Sequence, residues 1–322
     1  MIFGTLNFKF HSKEAGMKVK RWITVGVVSA VLILFAGTGM AQDEKVSMSE
    51  WTQIVQSLGD KGQINWSAGY IEAVGMGAPP ERYIGKPNAR PMALRAAKVD
   101  AYRNLLEITR GVQVSSETTV TDFVTESDVI RAQVEGLVKG AMVVNQEYLS
   151  DGTVEVTLRM PLYGEFSKAM MSRILEKKKI APAPEAPPVE PPVETPVAPP
   201  VPPVAAPAPV VFTGLVIDAR GLQARPAMSP KILDENGKEV YGSMIVERDY
   251  AVQQGMTGYA RDLTAAQSNP RVTNNPLSVK GVKTEGAGAA DIVIGNADAQ
   301  AIRAATDNLS FLKKCRVMIV LD

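Results

Sequence analysis

The residue types that carry most enzyme chemistry are almost absent from this 322-residue chain, which holds one histidine, His11, and one cysteine, Cys315. His11 lies in an N-terminal segment that we expect to be removed. The remaining chain then cannot form a histidine-containing catalytic triad, a histidine metal site or an internal disulfide. Carboxylate-only metal sites and Asp/Glu, Ser/Lys or Tyr chemistry stay open, but no paired acidic motif supports them. We therefore predict no catalytic, cofactor-binding or metal-binding residues, no cofactor, and a protein that is not an enzyme.

Three local patterns invite a functional interpretation. Asp218 and Arg220 follow a predicted strand and could bind a polar ligand, although a turn with a local ion pair is the simpler explanation. Residues 286–291, GAGAAD, have the glycine spacing of a nucleotide loop, but they precede a strand instead of joining a strand to a helix. Cys315 adjoins an apolar run and is expected to be a buried core thiol, with pairing to a second chain as the alternative.

The N-terminus has the layout of a secretory signal peptide. Three basic residues after Met17 precede an apolar run from Ile23 to Ala36, and small residues follow at positions 39 and 41. We take Met17 as the true start, residues 1–41 as the signal segment and the cut as falling before Gln42. No cysteine follows the run, so lipid attachment there is excluded. This predicts a periplasmic protein, with an uncleaved inner-membrane anchor as the alternative.

The charge balance gives no case for a nucleic-acid partner. The whole chain has a formal net charge of +1, and residues 1–41 hold five Lys/Arg against one Asp/Glu, so the remainder is slightly acidic. A nucleic-acid-binding domain needs a basic surface to neutralise phosphates.

Composition divides the rest of the chain into three parts. Residues 181–209 are dominated by proline, with 13 of the chain's 22 prolines between 182 and 209. This favours a semi-rigid polyproline linker between a domain at 48–180 and a domain at 210–322. Such a linker is an ordinary tether, a spacer that fixes a distance or threads peptidoglycan, or a ligand for a proline-binding module. As a spacer it would hold the second domain away from the first.

The first domain is predicted to be α+β, with the order β-α-β-α-β-β-α and a mostly antiparallel sheet. After a short polar helix at 48–58, the predicted elements are a strand at 64–77, a helix from Asn88 to Arg110, a strand at 112–124, a helix at 127–140, a hairpin at 142–162 and a helix at 164–178. Asp151-Gly152 marks the hairpin turn. Asn88 and Ser127 are expected N-caps, and Gly111 is expected to adopt a left-handed conformation.

The second domain is predicted to be a small α+β sandwich as well. Its predicted elements are a strand at 210–219, a hairpin at 231–242, a short helix near 258–268, strands at 276–286 and 290–295, a helix at 296–314 and a strand at 315–322. The last strand is almost wholly apolar, which indicates a central strand covered on both faces. We identify no family resemblance for this half.

The first half resembles a known family. The stretches NARPMALRAAKVDAYRNLLEITRGVQV and VEGLVKGAMVVNQEYLSDGTVEVTLRMPL, with a closing amphipathic helix, are similar to the LPP lipoprotein domain over about residues 65–178. Its members are bacterial twenty-kilodalton envelope lipoproteins, and the pattern is shared by flagellar assembly proteins P and T. The resemblance implies a structural or accessory envelope role, with flagellar assembly as one form of it, and carries no catalytic residues.

These observations together predict a non-enzymatic structural or assembly protein of the bacterial cell envelope, associated with flagellar or outer-membrane structures. Its expected partners are envelope proteins, including a second copy of itself, near peptidoglycan or the outer membrane. The alternative is a periplasmic binding module that takes a cell-wall or small envelope ligand through the C-terminal domain, whose residues 250–290 are rich in loops.

Overall fold

The first half of the molecule consists of helices and one antiparallel sheet. In the computed structural model, which describes residues 52–180, 212–304 and 310–322, this half carries a five-stranded antiparallel sheet. Its strands, in the spatial order β1-β2-β3-β5-β4, are β1 (Val55–Ser57), β2 (Gly62–Asn65), β3 (Tyr70–Gly77), β4 (Met142–Tyr148) and β5 (Val154–Pro161). Its helices are α1 (Ala89–Arg110), α2 (Val120–Glu126), α3 (Asp128–Lys139) and α4 (Glu165–Ile180).

Helix α1 lies on the sheet at unusually short range because small residues face each other. The buried residues of α1 include Ala93, Ala97 and Ala101. Opposite them, a Cβ added to Gly75 would lie 2.0 Å from the backbone nitrogen of Ala101. With Leu105 and Ile108, these alanines form the buried apolar stripe of α1. The alanines of the helix and the glycines of the strand allow the two backbones to touch.

The second half contains a seven-stranded mixed sheet. Its strands, in the spatial order β8-β7-β11-β10-β6-β12-β9, are β6 (Gly214–Asp218), β7 (Ile232–Asp234), β8 (Glu239–Tyr241), β9 (Gly258–Ala260), β10 (Pro276–Glu285), β11 (Asp291–Ile294) and β12 (Val317–Val320). Its helices are α5 (Arg248–Gln254), α6 (Leu263–Gln267), α7 (Asn296–Ala304) and α8 (Ser310–Lys313). Strand β12 pairs in parallel with β6 and β9, and all four of its residues are buried, as predicted for a central strand.

The α+β class is confirmed, with one antiparallel sheet and one mixed sheet. The hairpin at Asp151-Gly152 is confirmed by the pairing of β4 with β5, and Gly152 has a φ of 89°. Ser127 caps α3 by accepting a hydrogen bond from the Ile130 amide.

Several local predictions are wrong. The expected strand at 64–77 is a hairpin of β2 and β3, with a turn between them that includes Gly69 at a φ of 74°. The expected strand at 112–124 contributes one bridge, between Gln113 and Thr119, before α2 begins. The described part of the expected helix at 48–58 contains β1 instead.

Two predicted caps are also wrong. Asn88 occupies the N-cap position of α1, but its side chain makes no capping hydrogen bond. Gly111 ends the helix with a φ of −77°, which is not left-handed.

The two sheets share one core. Buried residues of both halves belong to a single hydrophobic cluster, and residues 47–322 form one compact unit in their described parts. At the junction, the Ser67 hydroxyl donates to the Tyr259 carbonyl at 2.7 Å, and the ring of Trp66 meets that of Tyr259 edge-on at 5.9 Å between centroids. The expectation that a proline spacer holds the second half at a distance is therefore wrong. The boundaries 48–180, 181–209 and 210–322 stay predictions.

The predicted signal segment and cleavage site lie outside the described residues, as does the whole of the predicted proline linker, residues 181–209. Among residues 52–180, 212–304 and 310–322, no helix combines the length and apolarity that a membrane span requires.

Candidate functional site

Within the described ranges, no group of three or more His, Cys, Asp or Glu side chains is placed to hold a metal ion. The three sequence patterns that invited a functional interpretation are 218–220, 286–291 and Cys315. They lie in three different structural settings, described next.

Cys315 is a core thiol. Its side chain is fully buried at the turn between α8 and β12, and burial raises the pKa of the thiol to about 11. A thiol with that pKa is almost entirely protonated at neutral pH and is a poor nucleophile. The prediction of a buried core cysteine is confirmed.

Asp218 and Arg220 form a local ion pair at the end of β6. The Arg220 Nε and Nη2 atoms donate to the two carboxylate oxygens of Asp218 at 2.8 and 2.7 Å. This bidentate contact holds the pKa of Asp218 below its ordinary value. The next amide, that of Gly221, donates to the Asp322 carboxylate at 2.9 Å. The pair therefore shapes a turn, which is the simpler of the two explanations.

The glycines of residues 286–291 serve the contact between the two halves. A Cβ on Gly286, whose φ is 80°, would lie 2.4 Å from the Cβ of Ser116. The Ser116 hydroxyl donates to the Glu285 carbonyl at 3.0 Å and accepts from the Asp291 amide at 2.7 Å. The glycine spacing thus permits a close approach of two backbones.

The clearest open surface is the edge strand β4. All seven of its residues are exposed, although β4 is paired with β5 along its inner side. Five of the eleven exposed large hydrophobic residues in the described part of the chain fall within residues 142–149. They are Met142, Val143, Val144, Tyr148 and Leu149. We call residues 142–149 the β4 edge.

The β4 edge has few of the features that usually protect an edge strand. Proteins block such edges with lysine, proline, bulges or very short strands, because the outward amide and carbonyl groups can pair with another chain. Strand β4 has seven residues and contains no lysine, arginine or proline. The devices present in the strand are one irregularity in its register with β5, between Val143 and Asn145, and one charged side chain, Glu147. The opposite edge, β1, is only three residues long.

Charges of both signs lie at the β4 edge, where the Arg90 guanidinium stands over the Tyr148 ring at 5.9 Å from its centroid. Glu147 of β4 stands directly across from Glu155 of β5, and like charges in that position oppose each other. The nearest cation on the neighbouring strand, Arg159, is occupied by Glu72 at 2.6 Å.

A second surface, in the C-terminal half, is a small basic pocket of about 300 Å³. Three half-buried cations line it: Arg271, Lys314 and Arg316. Arg271 donates to the carbonyls of Cys315 at 2.8 Å and Gly255 at 3.2 Å, and also to that of Gln254. None of the three forms an ion pair with a carboxylate of the described chain, so their charge is not neutralised there.

A groove of about 620 Å³ lies between α3 and α4. Its charged residues are engaged: Lys168 pairs with Glu165 at 3.3 Å, and Arg173 pairs with Glu126 at 3.5 Å. Its charged side chains are therefore less available to a ligand than those of the basic pocket.

One family model matches the C-terminal third of the chain. Residues 214–322 match the family model described as the second domain of Tp0624 from Treponema pallidum. The match begins at the first residue of β6 and runs to the end of the sequence. No curated protein matches the chain.

The resemblance of residues 65–178 to the LPP lipoprotein family is wrong. The matching family is a different one, and it covers the half for which we identified no resemblance. The misleading pattern was an alanine-rich helix followed by an Asp-Gly hairpin, which any helix-on-sheet layer can contain. The flagellar association loses the resemblance on which it rested and stays an untested prediction.

The solvent exposure of β4 is not predicted above, although the sequence contains a relevant pattern. Strand β5 alternates strictly between buried and partly exposed positions, while Met142, Val143 and Val144 form an unbroken apolar run. Such a run normally indicates a strand covered on both faces. The fold covers neither face of β4, and this could be seen only once the sheet order was known.

Proposed function

We propose that this protein is a non-enzymatic assembly protein of the bacterial cell envelope that binds a protein partner through the β4 edge. The observation that carries the proposal is the exposure of every residue of β4, with five large hydrophobic side chains in eight residues. Export to the periplasm is part of the proposal and is supported by the sequence of residues 17–41.

The physical basis is strand addition. A partner strand laid along β4 would satisfy its outward backbone groups and cover Val143, Val144 and Tyr148, each 43–50% exposed. Main-chain hydrogen bonds would supply affinity, and the side-chain contacts would supply selectivity.

Site-specific crosslinking in cells tests the proposal. A photoreactive amino acid placed at Val144 is expected to yield covalent protein adducts on irradiation. The same amino acid at Val282, an exposed valine (52%) on β10 of the other sheet, is the matched control and is expected to yield none. Absence of adducts at position 144, with the protein folded and exported, would contradict the proposal.

A second candidate function is binding of an anionic envelope ligand by the C-terminal half. The specific observation is the basic pocket, in which three cations face about 300 Å³ of space without a carboxylate partner among the described residues. Carboxylates and phosphates are the groups that such a pocket would hold.

Charge reversal tests the second candidate. Lys314→Glu with Arg316→Glu is expected to abolish co-sedimentation of the protein with purified sacculi, if cell-wall carboxylates are the ligand. Lys283→Glu with Lys280→Glu, a double reversal on β10, is the control. Equal co-sedimentation of both double variants and the unmodified protein would exclude the pocket as the binding site.

A further inference from the structure

We propose that the partner at the β4 edge is a second copy of this chain, paired antiparallel through β4 about a two-fold axis at Asn145. This inference rests on the proposed function, because it names the occupant of the same surface. The two five-stranded sheets would then join into one sheet of ten strands.

The sequence of β4 is complementary to itself in this register. The symmetric pairs are Met142 with Tyr148, Val143 with Glu147, Val144 with Gln146 and Asn145 with Asn145. The thioether of Met142 meets the aromatic ring of Tyr148, which is a favourable contact. At the axis, two Asn145 side chains would meet. Each already donates to its own Glu147 carboxylate at 2.9 Å and accepts from the Gln146 amide at 2.9 Å, and a side-chain amide has a second N–H and a second lone pair for a bond across the axis.

The register also separates the charges. Glu147 is the single ionisable carboxylate of β4 and already faces Glu155 within its own sheet. In the antiparallel pairing, it falls across from the apolar Val143 of the other copy. A parallel, in-register pairing would instead place Glu147 against Glu147 and join the two Glu147–Glu155 pairs into a row of four carboxylates, which like-charge repulsion disfavours.

Self-association through one patch closes. A two-fold interface uses the same surface on both copies, so it ends at a dimer. Once β4 is covered, the remaining edge of the ten-stranded sheet is β1 in each copy, which has three residues. The proposal therefore predicts a dimer and no larger assembly.

Sedimentation of the purified protein, in the form that the cell produces, tests the inference. The unmodified protein and the Val282→Lys control are expected to be dimers, whereas Val144→Lys is expected to be a monomer with unchanged circular dichroism. Lysine at an edge blocks strand pairing by placing a charge against the incoming chain. A monomeric unmodified protein, or a Val144→Lys variant that stays dimeric, would overturn the inference.

A disulfide test reads the register directly. Residues across an antiparallel pair have Cα atoms about 4.5–5.5 Å apart, within the range of a disulfide. Asn145→Cys is therefore expected to give a covalent dimer on mild oxidation. Thr125→Cys, an exposed position on α2, is expected to stay uncrosslinked, and the native Cys315 is buried. A dimer by sedimentation that Asn145→Cys fails to crosslink would refute the register.

The outcomes separate this inference from the proposed function. If crosslinking at Val144 in cells captures only a different protein, the second copy is wrong while binding through the β4 edge stands. If position 144 captures nothing, and the protein is monomeric, both fail.

Discussion

At the scale of single residues, Ser116 joins the two halves of the molecule. Its side chain is 2% exposed, and its hydroxyl accepts from the amides of Ala290 at 3.1 Å and Asp291 at 2.7 Å. Its carbonyl accepts from the Gly288 amide at 2.6 Å. A serine here is needed because the loop after β10 brings two amide donors to one buried point.

Removing that hydroxyl should weaken the whole fold. Ser116→Ala leaves two buried amides without an acceptor, and we expect a loss of about 2 kcal/mol in the free energy of unfolding. Denaturant titration followed by circular dichroism measures it. The neighbouring change Ser115→Ala, at a half-buried position, is the control and should cost less than about 0.5 kcal/mol. Equal stability of both variants would count against the role given to Ser116.

Cys315 should be chemically silent in the folded protein. Its pKa is raised from 9.0 to about 11 by burial, so the folded thiol stays protonated up to pH values at which an unfolded thiol has ionised. Alkylation at pH 8 should therefore be slow in native protein and fast in denaturant. The raised pKa makes a contribution to the free energy of unfolding that is complete below pH 9. This contribution is lost as pH rises toward 11, because the unfolded thiol releases its proton first. Rapid native labelling at pH 8 would contradict this assignment.

At the scale of elements, the contact between α1 and β3 sets the first half. Gly75 and Gly77 of β3 lie against the backbone of α1, where an added Cβ would come within 2.0 Å of Ala101 and 2.3 Å of Ala93. No side chain larger than hydrogen fits without moving the helix.

Replacement of glycine by alanine should change the stability of the protein in opposite directions at two positions. Gly75→Ala forces α1 away from the sheet and should destabilise the protein by about 3 kcal/mol, since overpacking a closed contact is costly. Gly136→Ala lies on the exposed side of α3 with nothing within 4 Å, and should stabilise by about 0.5–1 kcal/mol through helix propensity. Thermal unfolding of the two variants compares them. Tolerance of Ala at position 75 would show that the helix does not sit at this distance.

Local chemistry explains which elements could be predicted from sequence. The Asp-Gly turn before β5, the Ser127 cap and the stripe of α1 depend on neighbours a few residues apart. The turn between β2 and β3 cannot be recognised in the sequence, because Trp66 continues the alternating pattern of a strand. The burial of Trp66 is completed by Tyr259, 193 positions further along the chain.

The prediction of a strand at residues 112–124 is wrong for a similar reason. Their β-branched composition favours a strand, but the carbonyls of Gln113 and Val114 accept from the amides of Met228 and Ser229, in the other half. The Asp122 carboxylate meanwhile accepts from the Thr119 amide at 2.6 Å and starts α2. Long-range partners decide this segment, and they cannot be seen in a local pattern.

At the scale of the whole molecule, two sheets form one body and leave β4 open. The sequence predicts both sheets but cannot show their contact, because the residues that make it are scattered and individually ordinary. Candidate sites follow the same rule. The scarcity of histidine and cysteine in this chain can be read from its composition. The exposure of the β4 edge, in contrast, follows from the order of the strands in the sheet.

Hydrogen exchange on the full chain tests this account most directly. The amides of Gly164, Met228, Ser229 and Gly288 donate across the junction to carbonyls of the other half at 2.6–3.0 Å. If the halves form one cooperative body, these amides should exchange as slowly as those of the central strand β12, since both open only on global unfolding. Junction amides that exchange orders of magnitude faster than β12 would contradict the account, because they would show two halves that separate while each stays folded.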